Sequence, residues 1–181
     1  MKKITLMVGL ALILVLPAVS VAKPTPDRAN KRAAKSECNM FRGHSGVTRE
    51  AFLTKYESFR ACVKARARDE AQEEQSAHTN ASRQCREERR TNPDFASDYG
   101  TNDNDRNAFG KCVSTKAKAQ QEEADAEDRQ DATDFKNAAK YCDNLRDEEP
   151  GQFTDTYGTE KNAFGKCVSR KARENHDEND S

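Results

Sequence analysis

Six cysteines are the residues of this chain whose type and spacing point most directly to a chemistry. Thiols form disulfides, ligate metals or catalyse redox exchange. The last two uses favour close pairs such as Cys-x-x-Cys, and no two cysteines here are so close. The three histidines, His44, His78 and His176, are scattered as well. Structural disulfides are therefore the favoured interpretation, and they are typical of exported proteins.

An eight-residue repeat predicts which cysteines pair. The string Asn-Ala-Phe-Gly-Lys-Cys-Val-Ser occurs at residues 107–114 and 162–169, each time after a further cysteine and a Tyr-Gly-Thr. A degenerate unit precedes these two and runs from residue 38 to residue 62, so that the three units are numbered one to three in chain order. Each predicted disulfide closes a loop of about 25 residues, worth about 3 kcal/mol in the chain-entropy model. If the units are built alike, the pairs are Cys38–Cys62, Cys85–Cys112 and Cys142–Cys167.

The large apolar residues are too few for one large core. After residue 22 the chain has two Leu, four Val, eight Phe and no Ile, a fraction well below the roughly 20% that marks a disordered composition. Disorder usually also needs a high net charge, whereas 31 basic residues balance 31 acidic ones. This composition favours several small cores, each held by a crosslink. The balanced charge argues against a general nucleic-acid or anionic-membrane binder.

The elements that position the cysteines are predicted to be helices. Phe164, Cys167 and Val168 lie at i, i+3 and i+4, on one helical face. Phe95 and Tyr99 have the i, i+4 spacing of a short helix across a bend. We therefore expect an all-α fold of three tandem helical hairpins, each stapled by one disulfide, joined by long charged helices. The predicted repeat-core residues are Phe59, Phe95, Tyr99, Phe109, Val113, Phe153, Tyr157, Phe164 and Val168.

Caps and glycines give local detail. Thr101 and Thr159 are predicted to be the N-caps of the second helix in the two units that carry the motif. Thr48 is predicted to cap the second helix of unit one. Gly110 and Gly165 fall inside a predicted helix, where Gly costs about 1 kcal/mol relative to Ala. Either they admit a facing helix, or they are tolerated at exposed positions.

Composition also sets the predicted boundaries. Residues 1–22 have the basic start, apolar run and small-residue end of a cleaved signal peptide. The alternative, a membrane anchor, is disfavoured because the apolar run of about 13 residues falls short of the roughly 20 that span a bilayer. The other predicted segments are a disordered tail (23–30), unit one (31–68), a connector (69–80), unit two (81–118), a connector (119–132), unit three (133–175) and a disordered tail (176–181).

The two connectors lack Gly, Pro and an apolar heptad seam. They are predicted to be solvated helices, supported by pairs such as Asp125–Arg129. The alternative is that they fray into linkers.

No other constellation predicts a cofactor or a catalytic site. Residues 103–107 resemble the start of a calcium loop, but Ala108 stands where an EF-hand needs Gly and Ser114 where it needs Glu. No nucleophile, base or metal-ligand set can be proposed, so we expect a non-enzymatic protein without a cofactor.

The Tyr-Gly-Thr and Asn-Ala-Phe-Gly-Lys-Cys-Val-Ser block resembles one in uncharacterised secreted bacterial repeat proteins, often actinobacterial. The resemblance covers about residues 85–114 and 142–169, and weakly residues 38–64. It implies export but no activity.

Two functions remain open at this point. The first is an exported structural or protein-interaction protein of the cell envelope or medium, with an unknown protein or envelope component as its partner. Its candidate contacts are the aromatic corners at Phe95/Tyr99 and Phe153/Tyr157, unless these rings only form the small cores. The second is an extracytoplasmic module that binds a cation or a small ligand through the acidic connectors or residues 103–107.

Overall fold

The computed structural model describes residues 23–102 and 104–179, and every regular element in this part of the chain is a helix. The predicted all-α class is confirmed. The predicted signal peptide lies outside the described residues. The helices are α1 (Arg28–Arg42), α2 (Gly46–Tyr56), α3 (Phe59–Thr91), α4 (Phe95–Tyr99), α5 (Ala108–Glu148), α6 (Pro150–Tyr157) and α7 (Ala163–Asn179).

Three disulfides join consecutive long helices. They link α1 to α3, α3 to α5 and α5 to α7, with Cα–Cα distances of 6.1, 6.0 and 6.0 Å. The three predicted pairs, Cys38–Cys62, Cys85–Cys112 and Cys142–Cys167, are therefore confirmed.

The two predicted connectors are continuous parts of α3 and α5, so the linker alternative is wrong. The two helices have 33 and 41 residues, which is about 50 and 60 Å of helix. The connectors are also not simply solvated, because Ala71 and Ala77 of the first and Ala132 of the second are buried. Beside the first connector, Ala77, Ala81 and Ala117 form a buried cluster between α3 and α5. Small side chains permit this close approach even though they bury little apolar area.

The two ends of the α3–α5 pair are built differently. At one end α1 packs on α3, and α7 packs on α5. This is the four-helix end, which also carries α2 and α6. At the other end α3 and α5 project, and of the described helices only the short α4 lies beside them. We call residues 77–117 the stalk.

Burial follows this division. The buried residues of units one and three form one core, in which the rings of Phe41 and Phe135 meet edge to face at 5.6 Å. Unit two has its own small core of Cys85, Phe95, Ala108 and Cys112. The expectation of a separate small core in every unit is therefore wrong for units one and three. The antiparallel return of α5 along α3 places these two units side by side.

Parts of both predicted disordered tails are helical. Asp27 caps α1, since its carboxylate accepts from the Asn30 amide at 2.9 Å while its own amide donates to Asn30 Oδ1 at 2.8 Å. Residues 28–30 thus belong to α1. At the other terminus α7 continues to Asn179, whose side chain donates to Asp134 Oδ1 at 3.3 Å. These contacts with the helix ends overcome the polar composition that predicted disorder.

The predicted caps are also corrected. Ser45 caps α2 by accepting from the Thr48 amide at 3.1 Å, so Thr48 is not a cap. Thr101 and Thr159 lie several residues before α5 and α7 begin. Threonine can cap a helix only from the residue directly before it.

Among the described residues, no helix has both the length and the apolar character needed to cross a bilayer.

Candidate interaction surface

The predicted aromatic corners face inward. Phe95 is 4% exposed and Phe153 is 5% exposed. Their rings lie 5.0 Å from Tyr99 and 5.4 Å from Tyr157, respectively. Tyr99 is further fixed because its hydroxyl donates to Glu88 Oε1 at 2.8 Å. Phe95 and Tyr99 belong to the small core of unit two, and Phe153 and Tyr157 belong to the core shared by units one and three. The two phenylalanines present little surface to a partner.

The other predicted core residues divide by location. Phe164 and Val168 are buried, while Phe59, Phe109 and Val113 are only partly buried. Phe109 and Val113 stand at the same motif positions as Phe164 and Val168, so the two copies of the motif have different surroundings.

Helix α2 of unit one covers the copy in unit three. Phe164 is 5% exposed and Val168 is 1% exposed. A Cβ atom at Gly165 would overlap the Cγ2 methyl of Thr54 on α2. Of the two meanings that the sequence allowed for this glycine, close approach of a facing helix is the one realised here.

An ion pair completes this contact. The Arg146 guanidinium lies 4.6 Å from the centre of the Phe164 ring. Its Nη1 and Nη2 atoms lie 2.9 and 3.4 Å from the two carboxylate oxygens of Glu50 on α2. Arg146 also pairs with Asp143 at 2.7 Å. Unit three therefore holds α2 through a glycine contact and a charged contact one turn apart along α2.

The copy in unit two is uncovered. A Cβ atom at Gly110 would meet no atom of the described residues within 4 Å, so this glycine, unlike Gly165, sits at an open position. Phe109 and Val113 keep part of their surface exposed. Arg89 lies 5.2 Å from the centre of the Phe109 ring, and no carboxylate in the described part of the chain pairs with it. We call Arg89, Phe109, Gly110 and Val113 the stalk face.

The arginine on the ring is a feature that the sequence reasoning missed. In each unit an arginine follows the first cysteine by four residues and lies over the phenylalanine that precedes the second cysteine by three. The third instance is Arg42 over Phe59, at 6.0 Å. The spacing Cys-x-x-x-Arg, present three times, was the signal that could have revealed it. Stacked cations of this kind contribute about 0.5–1 kcal/mol at exposed sites.

The remaining polar motif residues have separate roles. Asn107 is structural, because its Nδ2 donates to Thr101 Oγ1 at 2.6 Å and its Oδ1 accepts from the Thr101 amide at 3.1 Å. Lys166 of unit three pairs with Glu160 at 2.6 Å. Lys111 and Ser114 are exposed beside the stalk face.

A second cluster of functional groups lies where α1, α3 and α5 meet. Oxygen atoms of Glu37, Glu70 and Asp128 come within 4.8 Å of one another. Arg66 lies among them, with Nη2 at 2.7 Å from Asp128 Oδ1. Its Nε is 2.9 Å from Glu37 Oε2, an ion pair without hydrogen-bond geometry. Because the Arg66 guanidinium already lies against these carboxyl groups, the cluster is better suited to joining three helices than to holding a cation.

Burial raises the pKa values of two carboxyl groups in this cluster. Glu37 is 5% exposed. Desolvation, a hydrogen bond with Glu70 and the charge of Asp128 raise the pKa of Glu37 to about 9. Burial likewise raises the pKa of Glu70. The sequence reasoning missed this cluster because its members lie on three helices, far apart along the chain.

Residues 104–107 give the predicted calcium-like segment no cation-binding geometry. Asp105 adopts φ 51°, its side chain lies against Gly100, and Asn107 is engaged with Thr101. Asp103 lies outside the described residues.

We compared the chain with family models, with characterised proteins and with solved structures, and it matches none of them. The resemblance to secreted bacterial repeat proteins therefore stays a prediction, and the function must be argued from the surfaces described above.

Proposed function

We propose that this chain is an exported, non-enzymatic scaffold that binds another protein through its stalk face. The observation that carries this proposal is the difference between the two motif copies. The same residues that hold α2 in unit three are left open in unit two. Four-residue faces of this kind, with an aromatic ring and an arginine at their centre, have the composition of interaction hot spots.

Location outside the cytoplasm is part of the proposal. Three disulfides fit an oxidising environment, and the predicted signal peptide supplies a route. Mass spectrometry of the protein recovered from the producing cells tests this. We expect a mature chain that begins at Lys23 and carries three disulfides. Free thiols in a chain that retains residues 1–22 would contradict export.

A cation-binding role is less well supported. Among the described residues, the carboxyl groups close enough together to share a cation are those of Glu37, Glu70 and Asp128. Arg66 lies against them, and a cation there would have to displace its guanidinium. Calorimetry with calcium and with copper separates the two functions. Saturable heat that is lost in Glu37→Gln would favour the cation-binding role over the scaffold.

The scaffold role is tested by capture from the native envelope and medium with two variants. Gly110→Arg fills the stalk face and is compatible with the fold, since Arg is a better helix former than Gly by about 1 kcal/mol. Gly151→Arg is the matched control, because Gly151 is also a helical glycine with open space around it. We expect the same proteins to be captured by the unmodified chain and by Gly151→Arg, and to be lost with Gly110→Arg. Identical capture by all three chains would contradict the role of the stalk face.

A further inference from the structure

We propose that the stalk face binds a single amphipathic helix of the partner, one that presents a glutamate and a threonine four residues apart, as α2 does to unit three. This inference rests on the proposed function and adds the kind of partner. The internal contact between α2 and unit three serves as its template.

The template is defined by two contacts on one side of α2. Glu50 pairs with Arg146, and Thr54 lies against Gly165. The Thr54 hydroxyl donates to the Glu50 carbonyl oxygen at 2.9 Å. This bond fixes the β-branched side chain in one rotamer, with its methyl group towards the glycine. A helix with Glu-x-x-x-Thr therefore matches an Arg and a Gly set in this geometry.

The stalk face supplies the same Arg and Gly. Residues 107–114 are identical to residues 162–169, and Arg89 has the place of Arg146 relative to the first cysteine and to the ring beneath it. Arg89 has no carboxylate partner among the described residues, and Gly110 has open space above it. The positive charges of Arg89 and the neighbouring Lys111 favour an acidic residue on the incoming helix.

The match does not extend to a whole unit. In unit three the buried Phe135 and Ala139 lie seven and three residues before the first cysteine and belong to the core shared with unit one. The corresponding residues of unit two are His78 and Ser82. These polar side chains cannot replace the Phe41–Phe135 ring contact, so only a helix in the position of α2 fits the stalk.

Unit one has no glycine at this position of the motif. Its residue there is Arg60, between Phe59 and Ala61, and the Arg60 side chain is exposed. Gly110→Arg therefore installs in unit two a residue that the chain already accommodates in unit one.

The probe for this inference is a synthetic peptide with the sequence of residues 45–56, stapled through positions 49 and 53. Both positions are exposed on α2, and the staple is needed because a helix of this length is marginal in water. The peptide is titrated into the isotope-labelled mature protein with its disulfides intact, and amide shifts are followed by NMR. We expect saturable shifts at Arg89, Gly110 and Val113 below about 1 mM peptide, an affinity that a small single-helix contact can supply.

Variants separate this contact from non-specific binding. Gly110→Arg should abolish the shifts, and Gly151→Arg should retain them. Arg89→Glu should weaken binding at least tenfold, and a peptide with Glu50→Lys should restore it on that variant. Circular dichroism and disulfide mapping of each variant verify that the fold is kept.

Three results would overturn the inference. The first is the absence of saturable shifts at 1 mM. The second is a set of shifts that is unchanged by Gly110→Arg or that maps to α7, where the peptide would displace α2. The third is a dimer of the unmodified chain that Gly110→Arg dissociates, since the occupant would then be a second copy. If the peptide fails but capture still depends on Gly110, the scaffold role stands and only the assignment of the helix is wrong.

Discussion

Residues 107–114 and residues 162–169 have the same eight side chains but different neighbours. Both form the first turns of a helix and place a disulfide on its inner side. In unit three, α2 covers the motif and Val168 is 1% exposed. In unit two, Gly110 faces open space. The comparison teaches that the motif encodes a stapled helix together with a docking face, and that within the described part of the chain only the face of unit three is covered by another helix.

The two settings also differ in what stabilises them. Unit three shares its core with unit one, so its residues are held by packing and by a disulfide. The part of the stalk between residues 85 and 112, the stalk tip, has a core of four buried residues, two of which form its disulfide. It therefore depends on its crosslink to a greater degree, as is common where a small core cannot fold alone.

The largest expected effect comes from truncating the motif phenylalanine in each copy. Phe164→Ala should lower the free energy of unfolding by about 3–5 kcal/mol, the usual cost for a buried Phe. Phe109→Ala should cost about 1–2 kcal/mol, because that ring already keeps contact with water. Urea denaturation of both variants measures the difference. Equal costs would show that the stalk face is covered in solution.

Removing one disulfide at a time should show that the stalk tip depends on its crosslink more than the four-helix end does. Cys85→Ala/Cys112→Ala and Cys142→Ala/Cys167→Ala open loops with sequence separations of 27 and 25, so each should cost about 3 kcal/mol in the chain-entropy model. Hydrogen exchange should show where the loss falls. We expect the stalk tip to lose protection between residues 85 and 112 in the first variant. The shared core should keep most of its protection in the second.

Retained protection at the stalk tip after loss of Cys85–Cys112 would contradict this comparison. It would mean that the contacts of Phe95 and Ala108 hold the tip together without the crosslink.

Raising the pH should lower the stability of the four-helix end and leave the stability of the stalk unchanged. The folded-state pKa of Glu37 is raised to about 9 from an ordinary value of 4.5, so its contribution to stability is fully present below pH 4.5 and is lost as the pH rises through 9. The slope can reach about 1.4 kcal/mol per pH unit for one proton. Glu37→Gln keeps a hydrogen-bond donor without the charge and should flatten the slope. Thermal unfolding from pH 5 to pH 9 measures it.

The stalk provides the internal control for this series. In the stalk, the Glu88 carboxylate accepts from Tyr99 and pairs with Lys116, and these contacts lower its pKa, opposite to the direction for Glu37. Hydrogen exchange at the stalk tip should therefore stay constant, once corrected for its intrinsic pH dependence. A matching loss of protection at both ends would assign the slope to another group.

The smallest expected effects have opposite signs. Gly165→Ala should destabilise the protein by about 1 kcal/mol, because the new methyl group meets Thr54, whose rotamer is fixed. Gly110→Ala should stabilise it by about 1 kcal/mol through helix propensity, since nothing opposes the methyl group there. Thermal melts of the two single variants and of the double variant provide the measurement. The same sign for both would remove the basis for distinguishing the two copies.

Much of the local structure could be predicted because it depends on short-range spacing. The pairing of Cys142 with Cys167, the inward face with Phe164 and Val168, and the short helix with Phe95 and Tyr99 all follow from helical periodicity and from the repeat. The arginine over the ring has the same local origin and could have been found. The helical end of the second tail could not be predicted, because Asp134, the partner of Asn179, lies on another helix. The caps Asp27 and Ser45 accept from amides three residues later, so their signals were present in the local sequence and could have been found.

Residue order alone is enough to specify the disulfide-stapled helical segments and the eight-residue motif that occurs twice. The return of α5 along α3, which joins units one and three in a shared core, depends on packing between distant helices. The same packing brings Glu37, Glu70 and Asp128 together around Arg66. Loop closure and helical faces involve residues close along the chain, where sequence spacing fixes geometry. The use of each motif copy depends on a helix more than fifty residues away, because Gly110 and Gly165 differ only in whether α2 lies beside them.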